Sequence, residues 1–122
     1  MATDMLVVED NRTECGLACM AIALRRPGTR LRESRDVADA LAIVAQERPR
    51  LALLGWSALR DRPERLAKDL IVVGFAARLS DADKGRALAA GVRAVYDRPS
   101  EWELYCDTVE TILNEWLDKK SA

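Results

Sequence analysis

The sequence predicts an α/β domain built on a five-stranded parallel sheet covered on both faces. Three observations predict it. Short apolar runs alternate with segments of helical period. The chain, at 122 residues, has the size of one domain and not two. Hydrophobic residues are 49% and charged ones 32%, a globular balance that supports a core without staples.

The elements follow in order. Met5-Leu6-Val7-Val8 is a compact strand-type run closed by Glu9-Asp10-Asn11. From Arg12 to Arg25, Leu17, Met20, Ala21 and Leu24 recur on one helical face, and Pro27-Gly28 ends the helix. Thr29 to Glu33 reads as a weak, polar edge strand. Ser34 can cap a second helix over Asp36–Glu47, with Val37, Leu41, Val44 and Ala45 inward and Pro49 beyond its end.

Leu51-Ala52-Leu53-Leu54 is apolar throughout, as a central parallel strand buried on both faces must be. Gly55 to Asp69 is polar and Arg-rich, with room for a short helix over Pro63–Ala67. Leu70-Ile71-Val72-Val73 is the strongest strand signal. Ser80 and Asp83 open a helix that Gly91 closes. Ala94-Val95-Tyr96 is the last strand. Ser100 and Glu103 form a capping box for a final helix whose inward stripe is Tyr105, Val109, Ile112, Leu113 and Trp116.

Composition excludes several functions. The net charge of −1 removes a general attraction to nucleic acid or anionic lipid. The absence of histidine removes Ser-His and Cys-His catalysis and the commonest zinc and haem ligand. No apolar run approaches the length of a membrane span, and MATDMLVVED does not read as a signal peptide, so a cytoplasmic location is expected. No dinucleotide or triphosphate glycine motif follows a strand. Three cysteines are too few for a disulfide framework. Cys15 and Cys19, spaced i, i+4, and Cys106 read as buried thiols.

In a doubly wound sheet a site lies at the carboxyl ends of the strands. That places Glu9, Asp10 and Asn11, then Gly55 and Trp56, then Gly74 and Phe75, then Arg98-Pro99 at one end of the sheet. LVVEDN at 6–11, RPRLALLGW at 48–56, LIVVGF at 70–75 and AAGVRAVYDRP at 89–99 carry a resemblance to the response regulator receiver domain family, across the whole chain.

The resemblance implies a single receiver-like domain over 1–122, flavodoxin-like, with strand order 2-1-3-4-5. The third crossover is roughly ten residues shorter than the family's, which still leaves the ~10–12 residues a crossover needs, and implies a shortened third helix. Family members take a phosphoryl group on an Asp after strand three. A magnesium ion is held there by that Asp and an acidic pair, assisted by a Thr or Ser after strand four and a Lys before Pro after strand five.

Residue by residue, the acidic pair falls on Glu9 and Asp10, the phosphoacceptor on Gly55, the hydroxyl on Gly74 and the Lys on Arg98. Pro99 matches, and the family pattern implies a cis Arg98–Pro99 bond. The strand-five aromatic falls on Val95, with Tyr96 one residue later and therefore on the opposite face.

Gly55 offers no oxygen nucleophile, so the resemblance implies an atypical, pseudo-receiver member that is not an enzyme. It would act in signal transduction by protein-protein interaction, independently of phosphorylation. The expected partner is a sensor kinase, an output domain or a second copy, not nucleic acid or membrane. No cofactor is expected, and magnesium at Glu9 and Asp10 only weakly, because Arg98 is expected to pair with one of them.

Two alternatives remain at this stage. The vacated cleft could sense a small ligand through Glu9, Asp10 and Arg98, or Asp10 or Ser57 could serve as an unconventional phosphoacceptor. Trp56, Phe75, Tyr96 and Trp102 are candidate partner anchors, since aromatics dominate binding hot spots. Arg60, Arg62 and Arg65, with Arg48 and Arg50 upstream, read as a solvated face interrupted by Asp61 and Glu64.

Overall fold

The computed structural model describes residues 3–118. The expected 1–122 domain therefore has its two ends outside the described residues. The strands are β1 (Met5–Val8), β2 (Leu31–Ser34), β3 (Leu51–Leu54), β4 (Ile71–Ala76) and β5 (Ala94–Asp97). The helices are α1 (Arg12–Arg25), α2 (Val37–Glu47), α3 (Trp56–Leu59), α4 (Glu64–Ala67), α5 (Asp81–Ala89) and α6 (Trp102–Ile112), the last continuing into a π-helical turn over Leu113–Leu117.

All pairings are parallel and the order is β2-β1-β3-β4-β5, as the resemblance implies. Residues of β1 and β3 are buried without exception, because both faces of a central parallel strand are covered.

The side-chain period of two divides the core. Met5, Val7, Leu51, Leu53, Val73 and Phe75 pack with α1 and α6 on one face. Leu6, Val8, Ala52, Leu54, Val72 and Ala76 pack with α2 and the later crossovers on the other. Tyr96 joins the first cluster and Val95 the second, so the strand-five aromatic does sit on the opposite face from Val95.

Several local readings are corrected. The inward residues of α1 are Cys15, Ala18, Ala21 and Ile22. Met20 and Leu24 are instead 54% and 60% exposed. Two stripes of apolar residues compete on this helix, and the one carrying small Cys15 and Ala18 lets it lie close to the sheet.

The cap of α2 is Asp36, whose carboxylate accepts from the Asp39 N–H at 2.8 Å. Ser34 ends β2 and donates its hydroxyl to the Asp36 carbonyl. Ala40 and Ile43 join Val37 and Val44 in the buried face of α2. Glu101, not Ser100, caps α6, accepting from the N–H groups of Glu103 and Leu104, each at 3.0 Å. A carboxylate there also suits the positive end of the helix dipole.

The shortened third crossover divides into two single turns, α3 and α4. Arg62 between them takes a left-handed φ of 55° and Pro63 follows, so the helix cannot run through. Gly91, at φ 101°, closes α5; a Cβ there would lie 3.0 Å from the Ala67 Cβ. Among the described residues no helix is long and apolar enough to cross a membrane.

Candidate functional site

The carboxyl ends of β1, β3, β4 and β5 converge, and the loops that leave them hold the polar residues. The loop after β1 is fixed at its start by the Glu9 N–H, which donates to the Ser34 carbonyl at 2.9 Å. Asn11 then caps α1, its Oδ1 accepting from the Glu14 N–H at 3.0 Å. This turn aims the Glu9 side chain inward across the end of β3.

There Glu9 meets Gly55. A Cβ built on Gly55 would lie 2.6 Å from the Glu9 Cδ and closer still to its Oε1, distances that real side chains do not adopt. The carboxylate thus occupies the space in which a side chain at 55 would begin. Its Oε2 accepts from the Asn11 N–H at 3.0 Å. Burial pushes the Glu9 carboxyl up from its ordinary value, and neighbouring Asp10 adds to this. The Asn11 N–H and the Arg98 guanidinium oppose the shift.

Asp10 turns the other way. It accepts a hydrogen bond from the Ser57 hydroxyl at 2.8 Å, in the first turn of α3. That bond, with one from Glu9, holds the Asp10 carboxyl below its usual range. The acidic pair thus stays in contact, with the Glu9 carboxylate lying inward against Gly55 and Asp10 also tied to Ser57 of α3.

Arg98 follows β5, positioned by its N–H, which donates to the Ala76 carbonyl at 3.0 Å. Its guanidinium lies 2.7 Å from Glu14 and 4.0 Å from Glu9. The principal partner is thus Glu14, which the sequence reading missed, and the expected pairing with the acidic pair survives only as the longer contact. Glu14 stands in the first turn of α1, where an acid is already expected beside a helix N-terminus, so nothing in one dimension marked it as an arginine partner. The Arg98–Pro99 bond is trans, as are all peptide bonds among the described residues. Trans is the intrinsic preference of such bonds.

The hollow is almost filled. Val7, Leu53, Gly55, Phe75, Arg98 and Tyr105 line, with Glu9 and Glu14, a cavity of about 10 Å³. That is about the threshold for a single water. The space over Gly55 is filled, chiefly by Glu9, while cavities of about 270 Å³ beside Glu9 and Asp10 and about 320 Å³ beside Asp10 and Ser57 remain on its flanks. Over Gly74 lies Leu59 of α3, both of whose methyls would be 3.0 Å from a Cβ at 74. Neither Leu59 nor Tyr105 is signalled as a neighbour of this end by spacing alone.

The candidate anchors divide. Phe75 is 3% exposed and meets Tyr105 edge-on at 5.1 Å, so it belongs to the core rather than to a docking surface. Tyr96 is half-buried and its hydroxyl accepts from the Trp116 indole N–H at 2.8 Å. Trp56 is half-buried with the Arg60 guanidinium 4.8 Å above its ring. Trp102 is 36% exposed and stacks on Tyr105 at 5.2 Å. Leu88 on α5 and Leu104 on α6 are also exposed, on the two helices that flank edge strand β5.

No protein-family model matches the chain, and no curated protein sequence matches it. Solved structures do. The response regulator from Hahella chejuensis is similar with a TM-score of 0.83 at 21% identity, over 99% of this chain and 99% of that one. The phosphorylated cyanobacterial phytochrome response regulator RcpA gives 0.79 at 20%, over 99% and 98%. An atypical orphan response regulator protein with a phosphorylation-independent regulatory mechanism gives 0.73 at 12%, over 96% and 100%. These neighbours include a phosphorylated regulator and a phosphorylation-independent one, so the likeness speaks to architecture and not to switching. With its strand order, alternating helices and near-complete overlap, the chain has the flavodoxin-like fold of response regulator receiver domains.

Proposed function

We propose that this chain is an atypical receiver that acts in cytoplasmic signal transduction through protein-protein contacts, without a phosphorylation switch and without enzymatic activity. One observation carries the reading: the Glu9 carboxylate fills the space where an acceptor side chain at position 55 would begin. Phosphoryl transfer needs an oxygen nucleophile aligned with a metal and with groups that neutralise the transferred oxygens. Gly55 supplies no nucleophile, Gly74 no hydroxyl, and Arg98 is engaged by Glu14.

The donor set does not fit a magnesium centre of the receiver kind. Such a centre needs several oxygens in near-octahedral array. Here Gly55 brings no carboxylate, Glu9 is turned into the hollow, and Asp10 already accepts from Ser57.

The proposed contact surface is the β5 edge, where Leu88, Trp102 and Leu104 lie exposed on the flanking helices. Exposed aromatic and aliphatic side chains of this kind suit a protein partner, among which a sensor kinase, an output domain and a second copy are the classes the receiver likeness suggests.

The test is titration of the chain with beryllofluoride and magnesium, followed by amide NMR, with incubation in acetyl phosphate and intact-mass measurement alongside. The expected result is no saturable shift at Gly55 or Gly74 and no phosphoryl adduct. Saturable shifts there, or an adduct mapped to Asp10 or Ser57, would overturn the reading.

A further inference from the structure

On the far side of α1 from Arg98, a second group of reactive side chains comes together. Cys15 and Cys19 are one turn apart and so share a helix face. Glu33 pairs in register with Val7, whose side chain belongs to the core beneath α1. The same period therefore turns Glu33 under α1, although β2 is an edge strand and leaves it exposed. The Cys15 thiol donates to the Glu33 Oε1 at 3.3 Å. Both sulfurs and a Glu33 oxygen lie within 4.8 Å of one another, and Cys106 is not part of the group.

These spacings suit a small thiophilic cation. Tetrahedral zinc with sulfur at about 2.3 Å and oxygen at about 2.0 Å sets S···O near 3.5 Å and S···S near 3.8 Å. The observed S···O contact is within a few tenths of an ångström of that edge. A cavity of about 270 Å³, lined by Cys15, Gly16 and Glu33 among others, opens beside the group and leaves a coordination position to water. Gly16 has nothing within 4 Å of a Cβ position, so access there is not obstructed.

We infer that Cys15, Cys19 and Glu33 form a binding site for a thiophilic divalent cation of the zinc class, with two thiolates, one carboxylate and a water as ligands. Two sulfurs select such an ion over magnesium or calcium. A cysteine without metal carries its thiol proton at neutral pH. Binding then exchanges two thiol protons, released to solvent, for one dication, and the net charge of the group is unchanged. The ion would fasten α1 to the edge strand β2. The cavity beside the group is also lined by Glu9 and Asp10, so the site adjoins the carboxyl end of the sheet, but none of its three ligands lines the Gly55 hollow.

Cobalt(II) titration of the reduced full chain, in a phosphine reductant, tests it. The expected result is a sulfur-to-cobalt charge-transfer band with visible bands of tetrahedral intensity, saturating at one equivalent and bleached by zinc. Calorimetry in buffers of different ionisation enthalpy should read the release of two protons per zinc.

Outer-shell changes alone cost 10- to 100-fold in metal affinity, so Cys19→Ser, which removes a ligand at a half-buried position, should weaken zinc by at least about 100-fold. Glu33→Gln, on the exposed strand, should keep the charge-transfer band and weaken binding by about 10-fold or more. Circular dichroism checks that both variants fold. The inference is overturned if excess cobalt gives no charge-transfer band, if the band survives Cys19→Ser with undiminished intensity and affinity, or if it disappears in Cys106→Ser.

Discussion

Glu9 and Gly55 are complementary: the carboxylate of the first lies where a side chain on the second would start, 2.6 Å from Cδ to an ideal Cβ. Two losses at the sheet end are thus one arrangement. Without a side chain at 55 the acid can fold inward, and with the acid inward no side chain at 55 is accommodated. The atom in the way is the far end of a flexible side chain, so the conflict is resolved by expelling Glu9.

Gly55→Ala is expected to swing the Glu9 carboxylate out and to cost about 1 kcal/mol, the loss of the Asn11–Glu9 bond and not core overpacking. In a Glu9→Ala background that cost should vanish, a coupling of about 0.5–1 kcal/mol in a double-mutant cycle. Urea denaturation of the four proteins measures it, and additive costs would show that the two positions do not meet.

The pH dependence of stability has a sign set by Glu9. Burial raises its carboxyl in the folded chain, so the folded state keeps a proton that the unfolded chain has already released. The stability this contributes is complete below the unfolded value and is lost as pH rises through the raised folded value. Glu9→Gln fixes the neutral form. Its stability relative to the parent should therefore rise from acid to neutral pH, read as the shift in denaturation midpoint at successive pH values. Asp4, held low by its bonds to Arg30, acts in the opposite sense in either protein and cancels from the difference, whereas Asp10 shares a hydrogen bond with Glu9 and the change read is that of the pair.

Gly74→Ala should cost about 1–3 kcal/mol, because the new methyl would meet both Leu59 methyls at 3.0 Å inside a packed layer. Leu59 is only 8% exposed and has little room to withdraw. Thermal unfolding of the variant checks this, and an unchanged midpoint would mean that α3 yields freely.

Tyr105→Phe should stabilise the chain by about 1 kcal/mol. The Tyr105 hydroxyl is buried with no hydrogen-bond partner among the described residues, while its ring keeps its contacts to Phe75 and Trp102. Denaturant titration of the two proteins decides it; a loss of stability would show that the hydroxyl is satisfied.

The strands were legible because parallel pairing buries both faces and leaves continuous apolar runs, as at Leu51–Leu54 and Ile71–Val73. Helix ends were legible where Pro or Gly stood, at Pro27 and Gly91. The face of α1 was not, since Leu17, Met20 and Leu24 fit the helical period as well as Cys15, Ala18 and Ile22 do. Only the closeness of the sheet decides between them. Caps slipped by one or two residues, to Asp36 and Glu101, because several neighbouring side chains can accept the same N–H groups.

At the site, the glycines at 55 and 74 were visible as letters, but what fills their space was not. The inward turn of Glu9, the reach of Leu59 and the pairing of Arg98 with Glu14 are contacts between segments distant in sequence or set by a rotamer. Glu33 joined Cys15 and Cys19 for the same reason: only the β1–β2 register brings it under the helix.

The Ser57–Asp10 bond and the Glu9–Gly55 fit tie the segment leaving β1 to the segment leaving β3 at two points. On the proposed reading that position 55 takes no phosphoryl group, these two contacts hold the loops leaving β1 and β3 in one mutual arrangement.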